Sequence, residues 1–303
     1  MLFSINGQLG SGKSAVCDFL KEQYGFLIYS TGQVHRQLAK ERGFTAIQFN
    51  EFLKTDTEID DFIDKSCIRF SEENRGADII FDSRLAWHFI PDTFKIFLMV
   101  SPQIAADRVF KTRIVEEKYK TKDDALAELI NRRELENERF INLYGVDCND
   151  YKNYDLLLDT SALDISQVAN LIMETHRLKS AGLPYDRVLC FPQNLYPSVK
   201  ISALDMNRVA HYTEKIKNGE TLPPVSLMRF RNELFVYDGH NRVLAACRMK
   251  IPTIRCVIDF QDRDLLPENV TPEEYLTLSL SDVREWEEAG DFTFGFYPTV
   301  FRE

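Results

Sequence analysis

Near the start of the chain, Ile5-Asn6-Gly7-Gln8-Leu9-Gly10-Ser11-Gly12-Lys13-Ser14 fits G-x-x-x-x-G-K-[ST] at each fixed position, with Gly7, Gly12, Lys13 and Ser14 in register. Glycines let such a loop curl so that successive backbone N–H groups face phosphate oxygens. The lysine reaches the β- and γ-phosphates, and the hydroxyl holds Mg²⁺. Gly10 and Ser11 complete the phosphate-facing turn. Leu2-Phe3-Ser4-Ile5 reads as a short buried strand before the loop, and residues 15–21 read as a helix after it, with the positive end of its dipole toward the anion. A strand, a phosphate loop and a helix in that order point to an α/β chain that binds a nucleoside triphosphate.

At 303 residues, two domains are the expectation. Hydrophobic residues at 44% and charged residues at 28% describe a globular protein. No apolar run approaches the roughly 18 residues of a membrane span, and the first residues lack the basic region of a signal peptide. Six cysteines (17, 67, 148, 190, 247 and 256) form no C-x-x-C and no ligand-like cluster with the five histidines, so they read as reduced, buried thiols. The expected setting is cytoplasmic, with no membrane contact. A net charge of −10 argues against a DNA-coating role.

Residues 26–30 read as a second strand. A helix over 33–42 follows, with Thr31 suited to the N-cap, Gly43 to the stop, and Arg36 projecting from the first turn. Residues 44–55 and 58–74 are helical by periodicity. Ala77-Asp78-Ile79-Ile80-Phe81-Asp82-Ser83-Arg84 is a nearly continuous apolar run ending in charge, which is how a central parallel strand looks where its carboxyl end meets a ligand. Asp82 is therefore the candidate for orienting the Mg²⁺ shell beside Ser14, and Arg84 for a substrate anion; the structural alternative is a salt-bridged pair at a strand end. Residues 94–100 form another strand, and Pro102 opens a helix to Lys111. Arg108, Arg113, Arg132, Arg133 and Arg139 punctuate a stretch that, on charge alone, is a solvated face. A strand over 154–160 and a helix over 164–178 close an α/β sandwich around a parallel sheet.

Four stretches together resemble a cytidylate kinase of the compact archaeal type. They are the phosphate loop; Tyr29-Ser30-Thr31-Gly32 with Arg36 four residues on; Asp82-Ser83-Arg84-Leu85-Ala86-Trp87; and Arg132-Arg133-Glu134 leading to Arg139-Phe140 and Tyr144-Gly145-Val146-Asp147. The resemblance covers roughly residues 1–180. It implies that ATP·Mg²⁺ donates its γ-phosphoryl group to a nucleoside monophosphate, with CMP or dCMP favoured. Phosphoryl transfer is mostly positioning and charge neutralisation. Lys13 and the loop amides would hold the donor phosphates, Ser14 and Asp82 the metal, and Thr31, Arg36 and Arg84 the acceptor. Arg108, Arg132 and Arg139 would close over the transferring group and exclude water. One departure stands out: relatives carry an arginine soon after the helix-opening proline, whereas this chain has Ala105-Ala106, leaving Arg108 to serve alone.

Prolines 184, 192 and 197 suggest a linker over 181–198, followed by a second domain over 199–303. Its expected elements are a short strand over 199–202, a helix over 205–218, strands over 223–229 and 234–237, a helix over 243–249 and a last strand over 253–258. Asp238-Gly239-His240-Asn241-Arg242 opens the second helix, and Asn218-Gly219-Glu220 with Pro223-Pro224-Val225 precedes it. Together these resemble the ParB/sulfiredoxin-like domain, a smaller α+β fold, over roughly 199–260. The resemblance implies a phosphate site at Asp238, Gly239, His240, Asn241 and Arg242, with Glu220 as an acid/base and a second nucleotide or phosphorylated ligand as its partner. Residues 181–260 hold 11 Lys and Arg against 7 Asp and Glu, and residues 261–303 hold 3 against 11. The acidic end reads as a solvated tail or, more sharply, as a segment folded back over the basic core through Tyr275 to Trp286. The alternating aromatics Phe292, Phe294 and Phe296 read as a packed strand.

Two other functions fit this sequence less closely. In one, ATP binding and slow hydrolysis act as a switch for a second domain that binds nucleotide or, less favoured, nucleic acid. In the other, the second domain is itself a kinase for a small hydroxyl substrate. A pure switch has no need of the Thr31, Arg36 and Arg84 set, which favours the monophosphate kinase.

Overall fold

The computed structural model describes residues 1–44, 48–49, 52, 57–117, 121–122, 124, 137–262 and 264–302. The chain forms two compact units, Met1–Met99 with Arg133–Leu156 and Asp164–Leu183, and Val100–Arg132 with Leu157–Leu163 and Pro184–Glu303. Among the described residues, no helix is long and apolar enough to cross a membrane.

In the first unit, β1 (Leu2–Gly7), β2 (Leu27–Ser30), β3 (Ile79–Asp82) and β4 (Phe94–Met99) run parallel in the order β2-β3-β1-β4. Parallel neighbours need crossovers, supplied by α1 (Lys13–Tyr24), α2 (Thr31–Glu41) and α3 (Thr57–Glu73). The strands are buried on both faces, as their unbroken apolar composition requires: Phe3, Ile5, Ile80, Phe81, Ile96 and Leu98 are essentially inaccessible. Register decides what the carboxyl ends present. Asp82 lies opposite both Ile5 and Ser30, and Gly7 lies opposite Leu98, so the phosphate loop, Ser30 and Asp82 emerge on one edge. Gly7 is needed there for close approach, because a Cβ on it would sit 2.6 Å from the Leu98 carbonyl oxygen.

The helix after β2 starts two residues earlier than its sequence suggests. Ser30 takes the N-cap position and Thr31 the first helical one. The cap makes no side-chain bond to the helix, and Ser30 Oγ bonds to Asp82 instead. The helix after β3, α4 (Ala86–Phe89), is a single turn, and the helix after β4, α5 (Pro102–Glu117), in the second unit, runs beyond the expected Lys111. Ala105, Ala106 and Val109 are buried along α5, which accounts for apolar residues at these positions.

The second unit takes β5 (Leu156–Asp159) from Leu157 onward, then β6 (Val188–Cys190), β7 (Val225–Phe230), β8 (Glu233–Asp238) and β9 (Ile254–Gln261), in the order β5-β6-β9-β7-β8. The β5–β6 and β7–β9 pairs are parallel, and β6–β9 and β7–β8 antiparallel. The span 181–198, expected as a linker, thus contains the fully buried strand β6. Residues 199–202, expected as a strand, lead instead into a 3₁₀ turn over Ile201–Ala203, closed by Ala203 N and Leu204 N donating to Lys200 O and Ile201 O. The turn delivers Asp205 as the N-cap of the helix Met206–Lys217, where its carboxylate accepts from Asn207 N and Arg208 N.

The acidic end is not a solvated tail. Leu266, Leu276, Leu278, Val283, Phe294 and Phe301 share a core with Tyr196, Met228 and Phe235, and Trp286 packs with Val209, Leu244 and Ala245 while its Nε1 donates to Val199 O. The segment does fold back, as the sharper sequence reading has it. Phe292, Phe294 and Tyr297 pack in that core without forming a strand.

Candidate active site

The loop after β1 is built by its own backbone. Gln8 N donates to Leu98 O, Ser11 N to Gln8 O, and Gly7 N to Asn6 Oδ1. Gly10 and Gly12 lie at φ 80° and 83°, the left-handed region that favours glycine, and Gly12 is the N-cap of α1. The first amides of a helix have no partner within it, so Lys13 and Ser14 present theirs at the loop. Ser11 is buried and Ser14 exposed.

Lys13 Nζ pairs with Asp82 Oδ1, and Ser30 Oγ donates to Asp82 Oδ2 at 3.3 Å. The pair is mostly enclosed, with 22% and 11% of the two side chains exposed. The Asp82 carboxylate and the exposed Ser14 hydroxyl are oxygen donors of the kind a hard divalent cation takes. No cluster of three or more metal-ligating side chains occurs among the described residues. Cys17, one turn after Lys13, is a poor nucleophile: burial first, and then the Asp82 charge, push its thiol pKa up. Arg36 is exposed and its guanidinium folds back over the start of α2, with Nη1 3.5 Å from a Cβ built on Gly32. Thr31 Oγ1 is buried at the same helix start with no hydrogen-bond partner among the described residues.

Arg84 follows β3 and lines a cleft with Asn6, Gly7, Gln8, Asn137 and Asn149, floored by Phe97 and Phe140. The cleft encloses about 10 Å³, room for one water, so these side chains nearly fill it. Behind it, Asn6 Nδ2 donates to Tyr154 Oη at 2.6 Å and Tyr154 Oη to Cys148 O at 2.8 Å. Burial raises the Tyr154 pKa well above its usual value, keeping the phenol a donor. Asn137 holds the same segment, donating to Asp147 Oδ1 and accepting from Cys148 N, both at 2.9 Å.

The sequence reading passed over Asn6, Ser30, Asn137 and Tyr154. An asparagine in the strand that leads into the phosphate loop was the available signal for Asn6, and adjacency to Thr31 the signal for Ser30. Arg139 stacks its guanidinium 4.7 Å from the Phe140 ring centroid. Arg108 belongs to the second unit, where its Nη2 donates to Thr160 O at 2.8 Å and its Nη1 to Thr160 Oγ1 at 3.3 Å. Burial lowers its pKa, and Asp159 works against that. Arg132 and Arg133 lie outside the described residues, and Arg113 lies on α5.

In the second unit, His240, Asn241 and Arg242 form the first turn of the helix His240–Arg248 rather than a turn preceding it, with Gly239 as the N-cap at φ 104°. Arg242 folds over Gly239, where a Cβ would meet its guanidinium at 2.7 Å. Its Nη1 donates to Pro224 O at 2.6 Å and Pro223 O at 3.2 Å, and its Nη2 to Asp238 Oδ2 at 2.7 Å. The arginine expected to meet a phosphate thus fastens two neighbouring segments together. His240 is buried against Ser198, Oγ to Nε2 3.1 Å, and burial depresses its pKa to about 4. Asn241 Oδ1 is buried without a hydrogen-bond partner among the described residues, and Glu220 is exposed, 3.7 Å from Lys215 Nζ.

Residues 3–162 match the model of the cytidylate kinase-like family. A cytidylate kinase of Pyrococcus furiosus is 33% identical over 162 residues, 53% of this chain and 80% of that protein. The cytidylate kinase of Pyrobaculum aerophilum is 29% identical over 192 residues, 63% of this chain and all of that protein. An S-adenosylmethionine-dependent nucleotide dehydratase of Lacinutrix mariniflava is 35% identical over 180 residues, 59% of this chain. The match spans only 36% of the dehydratase's own length. The loop with Lys13 and Asp82, on parallel strands within a segment matched over more than half the chain, places this protein in the cytidylate kinase-like family.

Proposed function

We propose that the protein transfers the γ-phosphoryl group of ATP to a nucleoside monophosphate, with CMP or dCMP as the acceptor. The observation that carries this reading is the shared edge of β1, β2 and β3, where Lys13, Asp82 and Ser30 meet beside the loop amides and Arg36 overhangs Gly32. Lys13 and the amides neutralise the donor phosphates. Ser14 and Asp82 would hold Mg²⁺, which would supply charge neutralisation on the transferring group. Lys13 must leave Asp82 to reach a triphosphate, which frees the carboxylate for the metal. Thr31, whose hydroxyl lacks a partner, Arg36 and Arg84 seat the acceptor phosphate. Arg108, Arg132 and Arg139 supply positive charge during transfer. The second unit, in this reading a ParB-like module, takes a phosphorylated ligand at Gly239–Arg242 only if Arg242 leaves Pro223 and Pro224.

ADP formation, measured with ATP·Mg²⁺ and each nucleoside monophosphate in turn, tests the proposal. Turnover that depends on the acceptor and is highest with a cytidine nucleotide supports it, whereas turnover indifferent to acceptor points to a switch. The dehydratase relative favours a second reading, in which the same segment presents a nucleotide to chemistry carried out elsewhere. Tight nucleotide binding without transfer is the result that reading expects.

A further inference from the structure

Asp159, at the end of β5, is 4% exposed and fully engaged. Its Oδ1 accepts from Ser161 N at 2.9 Å, and its Oδ2 from Asn194 Nδ2 at 2.8 Å and Phe191 N at 3.3 Å. Asn194 Nδ2 also donates to Ser161 Oγ at 2.8 Å, an oxygen that accepts from Ser101 N at 2.9 Å as well. Ser101 precedes α5, and its own Oγ accepts from Ile104 N at 3.2 Å, so the cap of that helix hangs from Ser161. Between Asp159 and Ser161 lies Thr160, whose carbonyl and hydroxyl both receive the Arg108 guanidinium. A second contact grips the same helix from the far end of the chain: a Cβ on Gly295 would sit 2.5 Å from Gln103 Cβ. Asn194 and Gly295 both lie beyond the segment 3–162 that the family model matches.

We infer that Asn194 is a positioning residue for Arg108: through Asp159 and Ser161 it fixes the Asp159–Ser161 loop and the start of α5, and so the placement of the guanidinium bound to Thr160. One amide group reaches both anchor points. Without it Asp159 keeps only backbone donors, and Ser161 loses the side chain that aligns it with Ser101. A displacement of an ångström in a charged group that serves a phosphoryl transfer is enough to slow the reaction severely. The inference rests on the kinase reading proposed above.

The test uses the full chain with Asn194→Ala, Arg108→Ala and the double variant, followed by steady-state kinetics and amide hydrogen exchange. Asn194→Ala should lower kcat by about tenfold, with KM for the monophosphate changed by less than about twofold. The double variant should be no slower than Arg108→Ala alone, because the two side chains act through one interaction. Amides over 101–108 and 160–163 should exchange faster in Asn194→Ala, while those of the helix Met206–Lys217 keep the wild-type rate and report an intact fold. Losses that add in the double variant, or unchanged exchange over 101–108, would overturn the inference. If the wild-type chain shows no acceptor-dependent turnover, the kinase reading fails by itself, and the exchange data still decide whether Asn194 holds the start of α5.

Discussion

Lys13 sits in a resting arrangement that is also a constraint on chemistry. It pairs with Asp82, and the proposed transfer requires it to leave that carboxylate for the donor phosphates. Replacing it by alanine removes their counter-charge, so Lys13→Ala is expected to lower the transfer rate at least ~100-fold, an effect the size of losing an oxyanion donor, as read by ADP formation under saturating acceptor. His240 sets a different kind of limit. Burial outweighs the opposing pull of Asp238 and depresses its pKa to about 4, while Arg242 adds to the depression. The folded protein therefore keeps the ring neutral, and the unfolded chain takes up a proton below its ordinary pKa of about 6.5. Stability from this group is fully present above that pH and lost as pH falls toward 4, by about 3 kcal/mol. Denaturant midpoints measured from pH 7 to pH 4 should fall along that window, and a His240→Phe variant should show a flatter dependence.

Individual elements carry constraints that the residues alone do not reveal. The loop after β1 works because β4 passes within van der Waals distance of Gly7, so Gly7→Ala should cost about 1–3 kcal/mol through overpacking against Leu98, measured as a loss in denaturant midpoint at unchanged m. The sequence already showed the loop, the apolar run ending at Asp82 and the proline that opens α5, because each depends on neighbours in the chain. What it hid depends on distant partners. Ser30 looked like an ordinary residue before a helix, until parallel register placed it opposite Asp82. Val188-Leu189-Cys190 lies among prolines and is three residues long, so only its pairing with β9, more than sixty residues later, makes it a strand. Arg242 read as an anion ligand from its place at a helix start. Its carbonyl partners on Pro223 and Pro224 come from a segment whose fold the turn itself does not encode.

The largest effects belong to the whole molecule. The acidic segment after residue 265 carries the side chains that complete the core around Phe235, so its charge and its packing have opposite consequences for truncation. On charge alone, deleting it would unmask a basic surface and raise affinity for polyanions. With Leu276, Val283, Phe294 and Phe301 gone, deletion is expected instead to abolish the cooperative unfolding of residues 184–264, as read by urea denaturation, before any polyanion affinity can be gained. The central claim concerns the first unit: a triphosphate held by the loop gives up its terminal group to an acceptor seated near Thr31, Arg36 and Arg84. Following the label from γ-³²P-ATP in the presence of CMP tests it most directly. The account expects label in the β-phosphate of CDP, and none in that position with Lys13→Ala. Label released only as inorganic phosphate, at a rate that CMP leaves unchanged, would contradict it.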